Sequence, residues 1–142
     1  MAARMKLRNV TFHGHQDSLP YYERATIVSF TSDFGGWGMA LTEGMQMGCI
    51  PVSFDSYLAV RDIIVPGKTR EIVPPYDEEA YALTLKALMG NENKRKQMAE
   101  NAFNHVRRYD IQKIAGQWDE LFHSLRNSHL YNETSVLNHI QR

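Results

Sequence analysis

Ile27–Asp55 reads IVSFTSDFGGWGMALTEGMQMGCIPVSFD. Ile27–Ser32 is a short β-rich run closed by polar residues, the pattern of a buried strand. Gly35, Gly36 and Gly38 then let the backbone turn sharply and lie close to a neighbour. From Trp37 the period becomes helical, with Leu41 and Met45 one turn apart on a common face. Gly48 stands where a helix is closed at its C-terminus, and Cys49–Phe54 re-enters a sheet. The stretch predicts a parallel strand–helix–strand unit.

That unit has a chemical consequence. A glycine turn feeding a helix N-terminus presents unpaired backbone N–H groups and the positive end of the helix dipole, an anion site that commonly takes phosphate. Glu43 follows in the same helix, where its carboxylate is placed to accept hydrogen bonds from sugar hydroxyls. A competing reading makes the glycines a tight turn and Glu43 a solvated helix residue, because a lone glycine-rich turn is weak evidence of a site.

Working outward, Asn9–Gly14 (NVTFHG) alternates as a strand, with Val10 and Phe12 on one face. Leu19–Ala25 (LPYYERA) is a short helix that tolerates Pro20 in its first turn. Tyr57–Ile64 is a brief helical piece ended by Pro66-Gly67, and Glu71–Val73 a brief strand stopped by Pro74-Pro75. Beyond it the pattern is helical only. Asp77 caps a helix through Met89 with Ala80, Leu83 and Ala87 inward, and Asn91 caps another to Arg108 with Met98, Ala102 and Val106 inward. Asp110 caps a third, where Ile111, Ile114, Ala115, Trp118, Leu121, Phe122 and Leu125 follow the helical period, so Trp118 reads as core. Residues 1–125 form one domain and 126–142 a polar tail. The fold class is α/β, with helices on both faces of a parallel sheet and a helical carboxy-terminal segment.

The 142 residues suit a single domain that buries roughly two-thirds of its unfolded surface. Sixteen basic and sixteen acidic residues cancel, so the net charge gives no argument for nucleic acid. No apolar run approaches membrane-spanning length and the start lacks a signal-peptide core, so a soluble, cytoplasmic protein is expected. Cys49 is the single cysteine, which rules out an internal disulfide and reads as a small buried apolar residue. His13 and His15 have no further ligand at a usual spacing, so no metal site is expected. Ser32 with His15 lacks a third catalytic partner and an oxyanion signature.

Five ordered blocks carry a resemblance: NVTFHG, LPYYERA, SDFGGWGMALTEGMQMGCIPVSFD, PGKTREIVPP and DEEAYALTLKALMGN. Over roughly Asn9 to Leu125 the chain resembles the carboxy-terminal, nucleotide-sugar-binding domain of family 4 (group 1) glycosyltransferases, which have the two-Rossmann GT-B architecture. The resemblance implies a donor site made by Gly14 and His15 in one loop, by Gly36, by the backbone amides of Trp37, Gly38 and Met39 at the phosphates, and by Glu43 at the ribose. It implies no metal cofactor. It also implies a nucleotide-sugar as substrate, and a glycan or lipid acceptor held by a separate amino-terminal domain. The expected activity is retaining, of hexosyltransferase type, in polysaccharide biosynthesis, in the cytoplasm or at the inner face of the membrane.

Three departures from the family pattern qualify this. The first glutamate of the family's pair falls on Gly35, and the family's Asn-Gly after the next loop is Thr69-Arg70. The third is length: a full domain of this type opens with two further strands, the first followed by an Arg and a Lys that bind the diphosphate. No residue is therefore assigned to catalysis, and the chain by itself is expected to be an inactive, truncated donor-binding half. The alternative is a non-catalytic, degenerate Rossmann-type module that binds nucleotide or only assembles. In the Rossmann order the two missing strands are central. Either Val10–Phe12 slides in beside Ile27–Phe30 to give about four parallel strands, or a second copy or partner chain covers the exposed edge.

Overall fold

The structure is a computed structural model, and it describes residues 7–33, 35–63 and 71–127. Three strands, β1 (Ile27–Phe30), β2 (Ile50–Phe54) and β3 (Glu71–Val73), form a sheet in the order β1-β2-β3. Both pairings are parallel, with Ile27 beside Ile50, Phe30 beside Ser53, Val52 beside Glu71 and Phe54 beside Val73. The helices are α1 (Leu19–Tyr22), α2 (Met39–Gln46), α3 (Ala59–Ile63), α4 (Glu78–Met89), α5 (Glu92–Val106) and α6 (Ile111–Asn127), with a 3-10 turn over Arg107–Tyr109.

β2 is buried along its whole length because helices cover both of its faces. On one face Leu41, Met45, Val60, Ile63, Ala102 and Val106 pack together with Val28 and Phe30 beneath them. On the other, Ile50, Val52, Phe54 and Val73 meet Tyr81, Leu88 and Met98. A continuous apolar strand such as IPVSF is what two covered faces require. Pro51 is tolerated at the centre for a reason of register. Ile50 donates its N–H toward β1, to Thr26 O at 2.9 Å, so the next residue's nitrogen points the other way. On that side β3 pairs only from Val52 onward, and no ladder bond is lost.

Three helix ends close at the residues whose chemistry predicts it, while α1 stops at Tyr22, α2 begins at Met39 and α5 gives way to the 3-10 turn after Val106. Gly48, at φ 80°, ends α2: its N–H bonds to Met45 O and that of Cys49 to Gly44 O, the paired bonds of a Schellman closure. Asp77 and Asn91 accept from Ala80 N–H at 2.8 Å and Lys94 N–H at 2.9 Å, capping α4 and α5. Cys49 is buried, its thiol directed at the carbonyls of Tyr22 and Ala25.

Three expectations need correction. Val10–Phe12 is not a strand and does not sit beside β1, so the described sheet has three strands rather than about four. Alternation over so few residues cannot hold an extended segment without a neighbour to bond, and Phe12 is left 80% exposed. α4 turns Tyr81 and Leu88 inward, with Ala80 and Leu85 at the margin, while Leu83 and Ala87 face out. Apolar residues surround that helix almost completely, so periodicity left its rotation open. Tyr81 settles it, its hydroxyl donating to Val52 O at 2.8 Å and meeting Ser29 Oγ at 2.8 Å. α6 forms as expected but runs to Asn127, and Trp118 on its apolar face is exposed rather than core. Thr69-Arg70 and the tail from 128 onward lie outside the described residues.

Candidate functional site

The site starts with Gly38. It is the N-cap of α2, in the left-handed region at φ 78°. A Cβ there would stand 2.3 Å from the Tyr57 hydroxyl, so only glycine lets the turn close against Tyr57. Leu41 N–H is the first to bond back, to Gly38 O at 2.9 Å. No side chain caps the helix, so the Met39 and Ala40 amides that precede Leu41 point outward without an intrahelical acceptor. Nothing acidic lies in the first turn to compensate the dipole. The end of α2 therefore presents donors and partial positive charge toward the carboxyl ends of the strands.

Trp37 is fixed from outside the loop. Its ring meets Tyr109 edge to face, with centroids 4.8 Å apart. The Tyr109 hydroxyl in turn donates to Asp62 O at 2.7 Å, and Arg108 also bonds to that carbonyl. The glycine turn is thus held between α3 and the end of α5.

Glu43 lies one turn into α2, about 6 Å along the axis from Met39, and its side chain is half-buried. It faces α1, where its carboxylate acts on the Tyr22 phenol, which Ser18 also influences. Burial pushes the Tyr22 phenol up; the Ser18 hydrogen bond opposes this and the Glu43 carboxylate adds to it. Tyr22 also lines a hollow of about 230 Å³ with His13, Gly14, Gln16, Ser18 and Tyr21. The structure thus brings Gly14, Tyr22 and Glu43 to one region, with Gly38 and Met39 a helical turn away. His15 does not line that hollow, whereas His13 does, its ring 5.0 Å from that of Tyr21. Gly36 is exposed, and a Cβ there would meet nothing within 4 Å.

Tyr22, Tyr57 and Tyr109 are the residues that reasoning from sequence missed. Each supports a site residue from a different element, and only tertiary packing reveals which tyrosines do so. Among the described residues no group of three or more His, Cys, Asp or Glu is placed to hold a metal ion.

The profile described as "Glycosyl transferases group 1" matches residues 1–105. The chain belongs to the group 1 glycosyl transferases. A poly(glycerol-phosphate) alpha-glucosyltransferase of Bacillus subtilis is 24% identical over 111 residues, which is 78% of this chain and 16% of that relative. A Campylobacter jejuni N-acetyl-D-galactosaminyltransferase, whose name gives an undecaprenol-linked acceptor, is 26% identical over 75% of this chain and 30% of its own. Sucrose-phosphate synthase from Thermosynechococcus elongatus shares the fold, with a TM-score of 0.79 at 22% identity, over 87% of this chain and 32% of that one. This group 1 chain thus spans a third or less of each of these relatives, and its α/β architecture is that of a GT-B carboxy-terminal domain.

Proposed function

We propose that this chain is the donor-binding half of a retaining glycosyltransferase that moves a hexose from a nucleotide-sugar to a glycan or lipid acceptor. The observation that supports the reading is the uncapped end of α2, with Glu43 one turn behind it. In this account the backbone amides at Trp37, Gly38 and Met39 receive the donor's diphosphate. They hold the charge that grows on it as the glycosidic bond breaks, in a setting already oriented for that charge. Glu43 accepts hydrogen bonds from the ribose hydroxyls, with Tyr22 keeping its carboxylate in place. Gly14 and His15 bound the space for the base, and Gly36 gives the phosphates a close approach to the backbone.

No metal has a part in this scheme, since the amides and the dipole supply the charge stabilisation. Chelation by EDTA is expected to leave nucleotide binding unchanged. The acceptor is held by another polypeptide or domain, in the cytoplasm or at the inner membrane face, and this chain by itself binds donor without turning it over. The named relatives act on a poly(glycerol-phosphate) and on an undecaprenol-linked glycan, and acceptors of that polymeric or lipid-linked class are the ones to try. The test is a transfer assay with labelled nucleotide-sugar, with and without a separately expressed acceptor-binding domain. Transfer that appears only in the mixture supports the reading.

One observation favours a second reading. Gly35 stands where the family pattern has a glutamate, which removes a carboxylate from the donor side and suits a nucleotide-binding module without catalysis. Transfer restored by the added domain excludes that reading; nucleotide binding with no transfer in any mixture establishes it.

A further inference from the structure

A second hollow opens at the carboxyl ends of the strands, on the α4 side of the sheet and so across it from Glu43 and Tyr22. It holds about 460 Å³, within the range of small-molecule sites. All three strands feed it: Thr31 and Asp33 follow β1, Phe54 closes β2, and Tyr76 and Glu78 follow β3.

The lining limits what can enter. Its floor is Phe54 and Tyr81, both almost fully buried, with ring centroids 4.7 Å apart. The Tyr81 hydroxyl is already engaged by Val52 O and Ser29 Oγ, so the floor is apolar and firmly held. The rim carries the Asp33 and Glu78 carboxylates and the Thr31 hydroxyl, and among the described residues no lysine or arginine lines the hollow. Two carboxylates without a cation repel phosphate. They also accept strong, charge-assisted hydrogen bonds from hydroxyl groups.

Tyr76 adds the informative detail. Asp77 N–H bonds to Pro74 O at 3.3 Å, so Pro74–Asp77 is a β-turn with Pro75 and Tyr76 at its centre. Proline fixes a negative φ at the first central position, and Tyr76 has φ 62° at the second, which defines a type II turn. Glycine or asparagine is the ordinary choice there. An aromatic residue accepts strain at that position, and its ring is left 70% exposed at the mouth of the hollow. A flat ring above an apolar floor, flanked by carboxylates, suits a ligand with an apolar C–H face and hydroxyls at its edge.

We propose that this hollow is a saccharide subsite for an uncharged glycosyl unit, with Tyr76 as the stacking platform and Asp33 and Glu78 receiving the hydroxyl protons. The subsite is independent of the donor reading, because it lies across the sheet and uses none of the residues at the α2 end.

The test is an NMR titration of the whole chain with methyl α-D-glucopyranoside, methyl N-acetyl-α-D-galactosaminide and maltotriose, and separately with UDP, spermidine and magnesium. At least one saccharide is expected to shift the Thr31, Tyr76 and Glu78 amides saturably, with a Kd on the order of millimolar. Tyr76→Gly relieves the turn, so it keeps or raises the thermal midpoint while weakening that saccharide about tenfold or more. Glu78→Gln weakens it several-fold with the fold intact. The proposal is overturned if no saccharide shifts these amides at tens of millimolar, if Tyr76→Gly binds as well as the parent, or if spermidine, magnesium or UDP moves them instead. UDP shifts confined to α2 report on the donor reading alone.

Discussion

At Gly38 two requirements meet, a left-handed backbone and a space closed by the Tyr57 hydroxyl. Gly38→Ala is expected to cost about 2 kcal/mol in urea unfolding, from the strained φ and the collision together, and to abolish nucleotide binding by moving the α2 amides. Gly44 is constrained by packing alone: a Cβ there would lie 2.8 Å from Val28 Cγ1 and 3.1 Å from Val28 Cβ. Alanine gains about 1 kcal/mol of helix propensity but overpacks a stiff β-branched side chain, so Gly44→Ala should be destabilising by about 1 kcal/mol net. His105 supplies a pH effect. Its Nε2 is buried with no hydrogen-bond partner among the described residues. Burial first, and the nearby Arg108 second, lower its pKa from 6.5. A folded-state pKa below the unfolded one means stability that is complete above pH 6.5 and declines as pH falls through the folded value. Urea midpoints should therefore drop as pH falls below 6.5, and His105→Gln should flatten that slope. The role of Gly38 could be read from its place before a helical period. The roles of Gly44 and His105 could not, because the first depends on Val28, distant in sequence, and the second on burial that only the packed chain creates.

Among elements, the caps were the most legible. Asp77, Asn91 and Gly48 each close a helix end through their own local chemistry, which needs no tertiary partner. Asp77→Ala and Asn91→Ala should each cost about 1 kcal/mol in urea unfolding. Orientation was legible only where apolar residues form one clean stripe. α5 presents Met98, Ala102 and Val106 inward as its spacing predicts, whereas α4, apolar on most sides, is rotated by the Tyr81 hydroxyl finding Val52 and Ser29. α6 has the cleanest stripe of all, and the structure leaves it exposed, with Phe122 at 60%. Periodicity reports that a face is apolar, not what covers it. Phe122→Ser should accordingly shift the thermal midpoint by no more than about 2 °C, and dye binding to exposed apolar surface should fall.

At the scale of the molecule, the parallel sheet, the helices on both faces and the group 1 membership agree with a reading that began from one glycine-rich stretch. The strand number did not follow, since Val10–Phe12 has the alternation of a strand but pairs with none of the described residues as one. The candidate site was half legible: Gly38, Met39 and Glu43 lie on one helix, while Tyr22, Tyr57 and Tyr109 reach it from three other places. The claim at the centre is that the α2 end and Glu43 bind a nucleotide. Calorimetric titration with UDP, GDP and ADP, repeated on Glu43→Ala, tests it most directly. The account predicts saturable binding of at least one of them, weakened about tenfold or more in the variant with its thermal midpoint unchanged. Binding that Glu43→Ala leaves untouched, or heat from none of the three, would contradict it.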